Sequence, residues 1–223
     1  MMSAGKPARP AGIGLYGGTF DPIHSAHLRL ACALRDELAL DSVRLIPSGV
    51  PPHRPPPHAS AVHRLAMARL AVADEPGLDI DARELAPGAS GYTVDTLAAL
   101  RREVGPSRPL WWLIGADQLA GLDRWHRWQD LLTLANLAVA ARPGFGTLPL
   151  PPAVDALWQS RQATDFANFP AAGRIRALTL SPVDVSATAI RADLAAGGDG
   201  LGALPPAVLG YIRRHRLYRI ESI

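Results

Sequence analysis

Two histidines set three residues apart, His24 and His27, close the segment GGTFDPIHSAHL over residues 17–28. At that spacing two side chains share one face of a helical turn, so both imidazoles could bond one anion. The residues before them suit such a ligand. Gly17 and Gly18 would let backbone approach it closely, Asp21-Pro22 turns the chain, and a helix starting between His24 and His27 would offer unpaired N–H groups and a partial positive charge. The chemistry this pattern suits is phosphate binding. A histidine pair at this spacing is by itself more often a surface pair or a helix cap; the Gly-Gly-Thr-Phe-Asp-Pro run in front shifts the reading to function.

A second set stands far downstream, in VSATAIR at 185–191. Arg191, expected near the start of a helix, supplies a permanently charged fork suited to phosphate, and Ser186 and Thr188 can cap that helix or bond phosphate directly. Read without its upstream counterpart, this set is an N-cap beside a solvated arginine. His53, His58 and His63 recur at five-residue steps broken by prolines, which matches no metal-ligand spacing and reads as scattered loop imidazoles.

These residues need a frame, and the apolar rhythm provides one. Short runs at 13–16 (IGLY), 43–46 (VRLI), 111–114 (WWLI), 137–140 (LAVA) and 175–180 (IRALTL) alternate with helical periodicity at 27–39, 62–73 and 94–103. The alternation predicts βαβ units. The runs are too continuously apolar for one wet face, so the expected fold class is α/β, a Rossmann-like parallel sheet with helices on both faces. Residues 1–11 read as a loose tail and 12–223 as one domain, whose last part, about 182–223, forms a small helical subdomain. Stiff loops are expected at 47–58 and 142–152, the first directly after a strand, where such folds place ligand contacts. Gly12, Gly14 and Gly17 spell a dinucleotide-binding G-x-G-x-x-G, but the middle of that pattern is itself the strand, and no acid follows the second strand.

Bulk properties narrow the class further. At 223 residues the chain can bury one full core. It has no apolar stretch near the roughly 18 residues of a membrane span and no apolar signal region at its start. Cys32 is the single cysteine, which rules out an intrachain disulfide and fits a reducing, cytoplasmic setting. A net charge of +3, spread without a basic run and with only 6% aromatic residues, suits small anions and argues against a nucleic-acid partner. These properties are compatible with a monomer or a homo-oligomer.

GGTFDPIHSAHL resembles the (T/H)xGH signature of the nucleotidyltransferase superfamily, and VSATAIR resembles its ISSTxIR signature. IPSGVPPHR (46–54), SGYTVDTL (90–97), LIGADQLAGLDRWHRW (113–128), AARPG (140–144) and LPPAVLGYIRRHRLY (204–218) extend the resemblance, in order, to the bacterial nicotinate-nucleotide adenylyltransferase family. Ala26 stands where the first signature has Gly, and Ala187 where the second has Ser. The resemblance implies AMP transfer from ATP, with Mg2+, to nicotinate mononucleotide. Gly17, Gly18, Thr19 and Phe20 would line the nucleotide crevice, with His24, His27, Ser186, Thr188 and Arg191 on the ATP phosphates. His53, Arg54, Tyr92, Thr93, Asp117 and Trp125 would meet the pyridine mononucleotide. Trp111, Trp112 and Trp128 are core by default. A phosphopantetheine adenylyltransferase, or a nucleotide-binding module without turnover, is the rival reading.

Overall fold

A computed structural model describes residues 12–49, 55–140, 149–162, 169–179 and 185–219. Six strands form one sheet: β1 (Ile13–Gly18), β2 (Ser42–Pro47), β3 (Leu78–Ile80), β4 (Leu110–Gly115), β5 (Asn136–Ala140) and β6 (Ile175–Leu178), in the order β3-β2-β1-β4-β5-β6. All five ladders are parallel. Five strands fall on the apolar runs expected from sequence; β6 ends at Leu178, and residue 180 of its run lies outside the described residues. β3 lies on none of them: it is the tripeptide Leu-Asp-Ile with Asp79 exposed, too short to show a pattern.

Alternation along each strand sorts side chains between two layers. Val43, Leu45, Trp111, Leu113 and Ala138 face α1 (Ser25–Glu37), α2 (Ala61–Val72), α7 (Ala187–Ala195) and α8 (Pro206–Arg214). Leu15, Ile46, Trp112, Ile114, Leu137 and Val139 face α3 (Thr93–Val104), α4 (Ala116–Leu119), α5 (Leu131–Leu134) and α6 (Pro152–Arg161). The α6 and α8 helices start on proline at the first turn, where a missing N–H costs nothing. Most of the loop expected at 142–152 lies outside the described residues, and its last two prolines, Pro151 and Pro152, cap and open a helix the periodicity did not announce.

Strand order reverses between β1 and β4, the switch point where open α/β sheets hold ligands. β1 pairs with β4 only from Ile13 to Leu15, whereas its ladder with β2 runs on to Gly18 opposite Pro47. Beyond Leu15 the two central strands part, and their carboxyl ends flank a crevice. The opposite edge is stapled shut. Arg101 donates to the carbonyls of Leu134, Gly105, Arg108 and Ala171, and the fully buried Asn136 amide donates to Leu110 and Pro170 carbonyls and accepts the Arg174 N–H.

Gly14 and Gly17 of the apparent dinucleotide pattern are packing residues inside β1. A Cβ on Gly14 would lie 2.7 Å from Val43 and 2.8 Å from Leu34, and one on Gly17 would lie 2.7 Å from the Trp112 ring. Gly17→Ala is therefore expected to destabilise by about 1–3 kcal/mol through overpacking, seen as a lower Tm. Gly210, inside α8 with nothing within 4 Å of its added Cβ, is the matched control. Gly210→Ala is expected to raise stability by about 1 kcal/mol.

Candidate active site

The β1–α1 loop carries the first predicted set. His24 is the N-cap of α1, extended at φ −146° and ψ 172°, and 4% exposed. Its ring stacks on His27 with centroids 3.7 Å apart, as the three-residue spacing requires. Phe20 meets His27 edge-on at 5.0 Å, and Tyr16 lies 6.0 Å from His27. The imidazole pair is thus held from two sides by aromatic rings and from beneath by its own helix.

Two details differ from the expectation. The Gly17 and Gly18 spaces are filled by protein, with a Gly18 Cβ lying 2.8 Å from the Phe20 ring, so these glycines admit side chains rather than a ligand. The α1 amides are also less free than a bare helix end: Ser25 N–H goes to the Ala203 carbonyl at 2.8 Å and His27 N–H to the His24 carbonyl at 2.9 Å. The side chains must therefore do more of the anion binding than the helix terminus. Ala26, in place of the signature's Gly, is buried within the protein.

Protonation follows from position. Burial pushes the His24 imidazole down to about 4, and burial together with His24 holds His27 well below its usual value. Hydrogen bonding gives the same answer for His27. Its Nδ1 accepts the His24 backbone N–H at 3.2 Å, so the single proton of the neutral ring is assigned to Nε2. Both rings are neutral donors at pH 7. The sign for stability is fixed: between pH 6.5 and about 4 the unfolded chain binds a proton on His24 that the folded chain refuses. Stability attributable to His24 is complete above pH 6.5 and falls on the order of 2–3 kcal/mol as pH drops to about 4. Urea unfolding of wild type and His24→Asn at pH 7.5 and 5 should show a smaller acid loss in the variant.

The downstream set folds back onto this loop across 170 residues of sequence. Arg191 Nη1 donates to the Asp21 carbonyl at 2.7 Å and Nη2 to Thr188 Oγ1 at 3.2 Å. Arg191 lies in the second turn of α7, not at its start; helical side chains lean toward the N-terminus, which brings its guanidinium back to the loop. It is half-buried rather than solvated. Ser186 is the N-cap of α7, accepting the Ala189 N–H at 3.1 Å, and Thr188 is exposed beside it.

On the other face of the sheet, Tyr92 is the N-cap of α3 and Thr93 its first residue. The Tyr92 ring lies 4.4 Å from His126, which brings the SGYTVDTL and DRWHRW segments together. Trp125 is half-buried against the core of that face, and Asp117 is exposed on α4 directly after β4. Trp128 is likewise half-buried, whereas Trp111 and Trp112 are core residues. His53 and Arg54 lie outside the described residues. His58 and His63 face different partners, Asp21 and Tyr211 respectively.

Sequence reasoning missed three residues here. The Asp21 carboxylate, read only as a turn, is 5% exposed and accepts N–H bonds from His58 (2.7 Å) and Ala59 (3.1 Å) and the Tyr218 hydroxyl (2.8 Å). Arg64 is 1% exposed and donates to the Thr19 carbonyl at 2.6 Å. His126 gave no signal beyond its neighbours. Arg64 in a helix looks like any polar-face residue, so no pattern marks it as buried.

A parallel sheet with a histidine-bearing loop after β1, met by an arginine from a late helix at the strand-order switch, is the arrangement of a nucleotidyltransferase. The cytidylyltransferase-like family profile matches residues 15–193. A Laribacter hongkongensis protein named "Probable nicotinate-nucleotide adenylyltransferase" is 71% identical over 94% of this chain and 96% of its own length. One of the same name from Chromobacterium violaceum is 56% identical over 94% and 99%. In fold, the chain matches the Plasmodium falciparum nicotinic acid mononucleotide adenylyltransferase complexed with NaAD at a TM-score of 0.70, with 15% identity, over 93% of this chain and 97% of that one. The chain belongs to the nicotinate-nucleotide adenylyltransferase family.

Proposed function

We propose that the protein joins ATP and nicotinate mononucleotide to give nicotinate adenine dinucleotide and pyrophosphate, a step of NAD synthesis in the cytoplasm. A phosphate oxygen of the mononucleotide attacks the α-phosphorus of ATP as the bond from that phosphorus to the β-phosphate oxygen breaks. The observation that carries this reading is the meeting of the two nucleotide signatures, with Arg191 bonded to Asp21 three residues before His24.

The nucleophile is a phosphate monoester whose second pKa is about 6, so it is already mostly dianionic at neutral pH and needs no base. The site's task is to bring two anions together and stabilise the leaving pyrophosphate. His24 and His27, neutral N–H donors, and the Arg191 guanidinium take the ATP phosphates, with Ser186 and Thr188 beside Arg191. Thr19 and Phe20 line the nucleotide crevice next to Gly17 and Gly18. Mg2+ bound to the triphosphate would offset its charge, with His24, His27 and Arg191 supplying the protein's own contacts to the phosphates. Tyr92 and Thr93, at the positive end of the 12-residue α3, suit the pyridine carboxylate, and Trp125 offers an indole face to the ring. Asp117, His53 and Arg54 complete the mononucleotide contacts.

The test is pyrophosphate release from ATP and Mg2+ with nicotinate mononucleotide, nicotinamide mononucleotide or phosphopantetheine as acceptor. Release with nicotinate mononucleotide, and a dinucleotide product, is expected. Release with phosphopantetheine alone would move the protein to another branch of the superfamily, and no release with any acceptor would leave a binding module.

A further inference from the structure

The closing segment LPPAVLGYIRRHRLY carries none of the residues proposed to touch substrate, yet it touches the opening loop directly. Ala203, just ahead of it, accepts the Ser25 N–H at the first turn of α1. Within it, α8 packs on α2, where Tyr211 Oη lies 3.0 Å from His63 Nδ1. At its end, Tyr218 Oη donates to Asp21 Oδ1 at 2.8 Å. We infer that Tyr218 is a positioning residue for adenylyl transfer: through the Asp21 carboxylate it fixes the backbone that carries Arg191 on one side and His24 and His27 on the other.

Asp21 is the relay because three separate pieces of chain, at 58–59, 191 and 218, meet on it. Its Oδ2 takes the His58 N–H, its Oδ1 takes the Ala59 N–H and the Tyr218 hydroxyl, and its main-chain carbonyl takes Arg191. The carboxylate accepts all three of these hydrogen bonds, and the His58 ring Nδ1 lies a further 3.4 Å from its Oδ2. Burial and the neighbouring carboxylate keep the Tyr218 phenol protonated, which makes its O–H the donor. Rotation of Asp21 after loss of one donor would move the carbonyl that orients the Arg191 guanidinium. The pyridine end of the crevice, around Tyr92 and Trp125, shares none of these bonds.

The inference rests on the adenylyl-transfer reading, and steady-state kinetics of the full chain separate the two. Tyr218→Phe is expected to lower kcat about tenfold, with KM for nicotinate mononucleotide within about twofold of wild type and circular dichroism unchanged. In double-mutant cycles its effect should be non-additive with Arg191→Lys and additive with Trp125→Phe. Asp21→Asn should repeat the pattern from the acceptor side, because whichever way its amide lies, an NH2 meets a donor. A folded Tyr218→Phe with wild-type kcat, or a loss additive with both partners, overturns the inference. If wild type releases no pyrophosphate with any acceptor, the functional reading fails instead. Tyr218→Phe binding of a non-hydrolysable ATP analogue then decides the inference, with weaker binding supporting it and unchanged binding overturning it.

Discussion

His27→Ala is expected to lower kcat by about 10²–10³ with the fold intact, the size seen when one preorganised donor to developing charge is removed. The reason is the state in which the structure holds this ring. Its Nδ1 is occupied by the His24 N–H, and burial keeps it neutral, so Nε2–H is the group left to meet a phosphate oxygen. A protonated His27 would turn Nδ1 into a second donor facing the His24 donor. The neutral form is therefore built in, and the ring gains hydrogen-bond strength only as charge grows on the leaving pyrophosphate. Amide variants sharpen the test. Gln can place an N–H near the Nε2 position and should recover part of the rate, whereas Asn can replace only the Nδ1 acceptor and should behave like Ala. Single-turnover rates with saturating ATP check this, and a folded His27→Ala enzyme of near-normal rate would remove the ring from the chemistry.

The histidine pair, the arginine and the strands that hold them were legible because each rests on local pattern. Three-residue spacing fixes the stacking of His24 on His27, and continuous apolar runs mark strands covered on both faces. What stayed hidden depends on contacts far apart in sequence. Gly17 suggested room for a ligand, yet Trp112, 95 positions away, occupies that room. The open amides expected at α1 are partly closed by Ala203, which no spacing rule could foresee. Asp21 looked like a turn residue because its carboxylate partners, His58, Ala59 and Tyr218, meet only after α2 and α8 pack. β3 and α6 escaped for a simpler reason: one is three residues long, and the other opens on prolines. Local chemistry is written in the motif, and its supports are written in the tertiary structure.

Arg191 offers the second large effect, and it discriminates charge from geometry. With both imidazoles neutral, two guanidiniums among the described residues donate to the β1–α1 loop: Arg64, buried against Thr19, and the half-buried Arg191, which is the more accessible of the two. Removing it by Arg191→Ala is expected to cost about 10³ in kcat/KM for ATP, the scale of an arginine acting on transferring phosphoryl groups. Arg191→Lys keeps the charge and should still lose about 10². One ammonium cannot hold the Asp21 carbonyl and Thr188 hydroxyl in the directions a planar fork reaches, and also meet a phosphate. Thr188→Val removes only the hydroxyl at 3.2 Å and should cost less than either. Steady-state kinetics at varied ATP, with Tm recorded for each variant, check the order Ala, Lys, Val from most to least damaging. A Lys variant equal to wild type would mean that charge alone suffices and that the guanidinium's anchoring to the loop is incidental to the reaction.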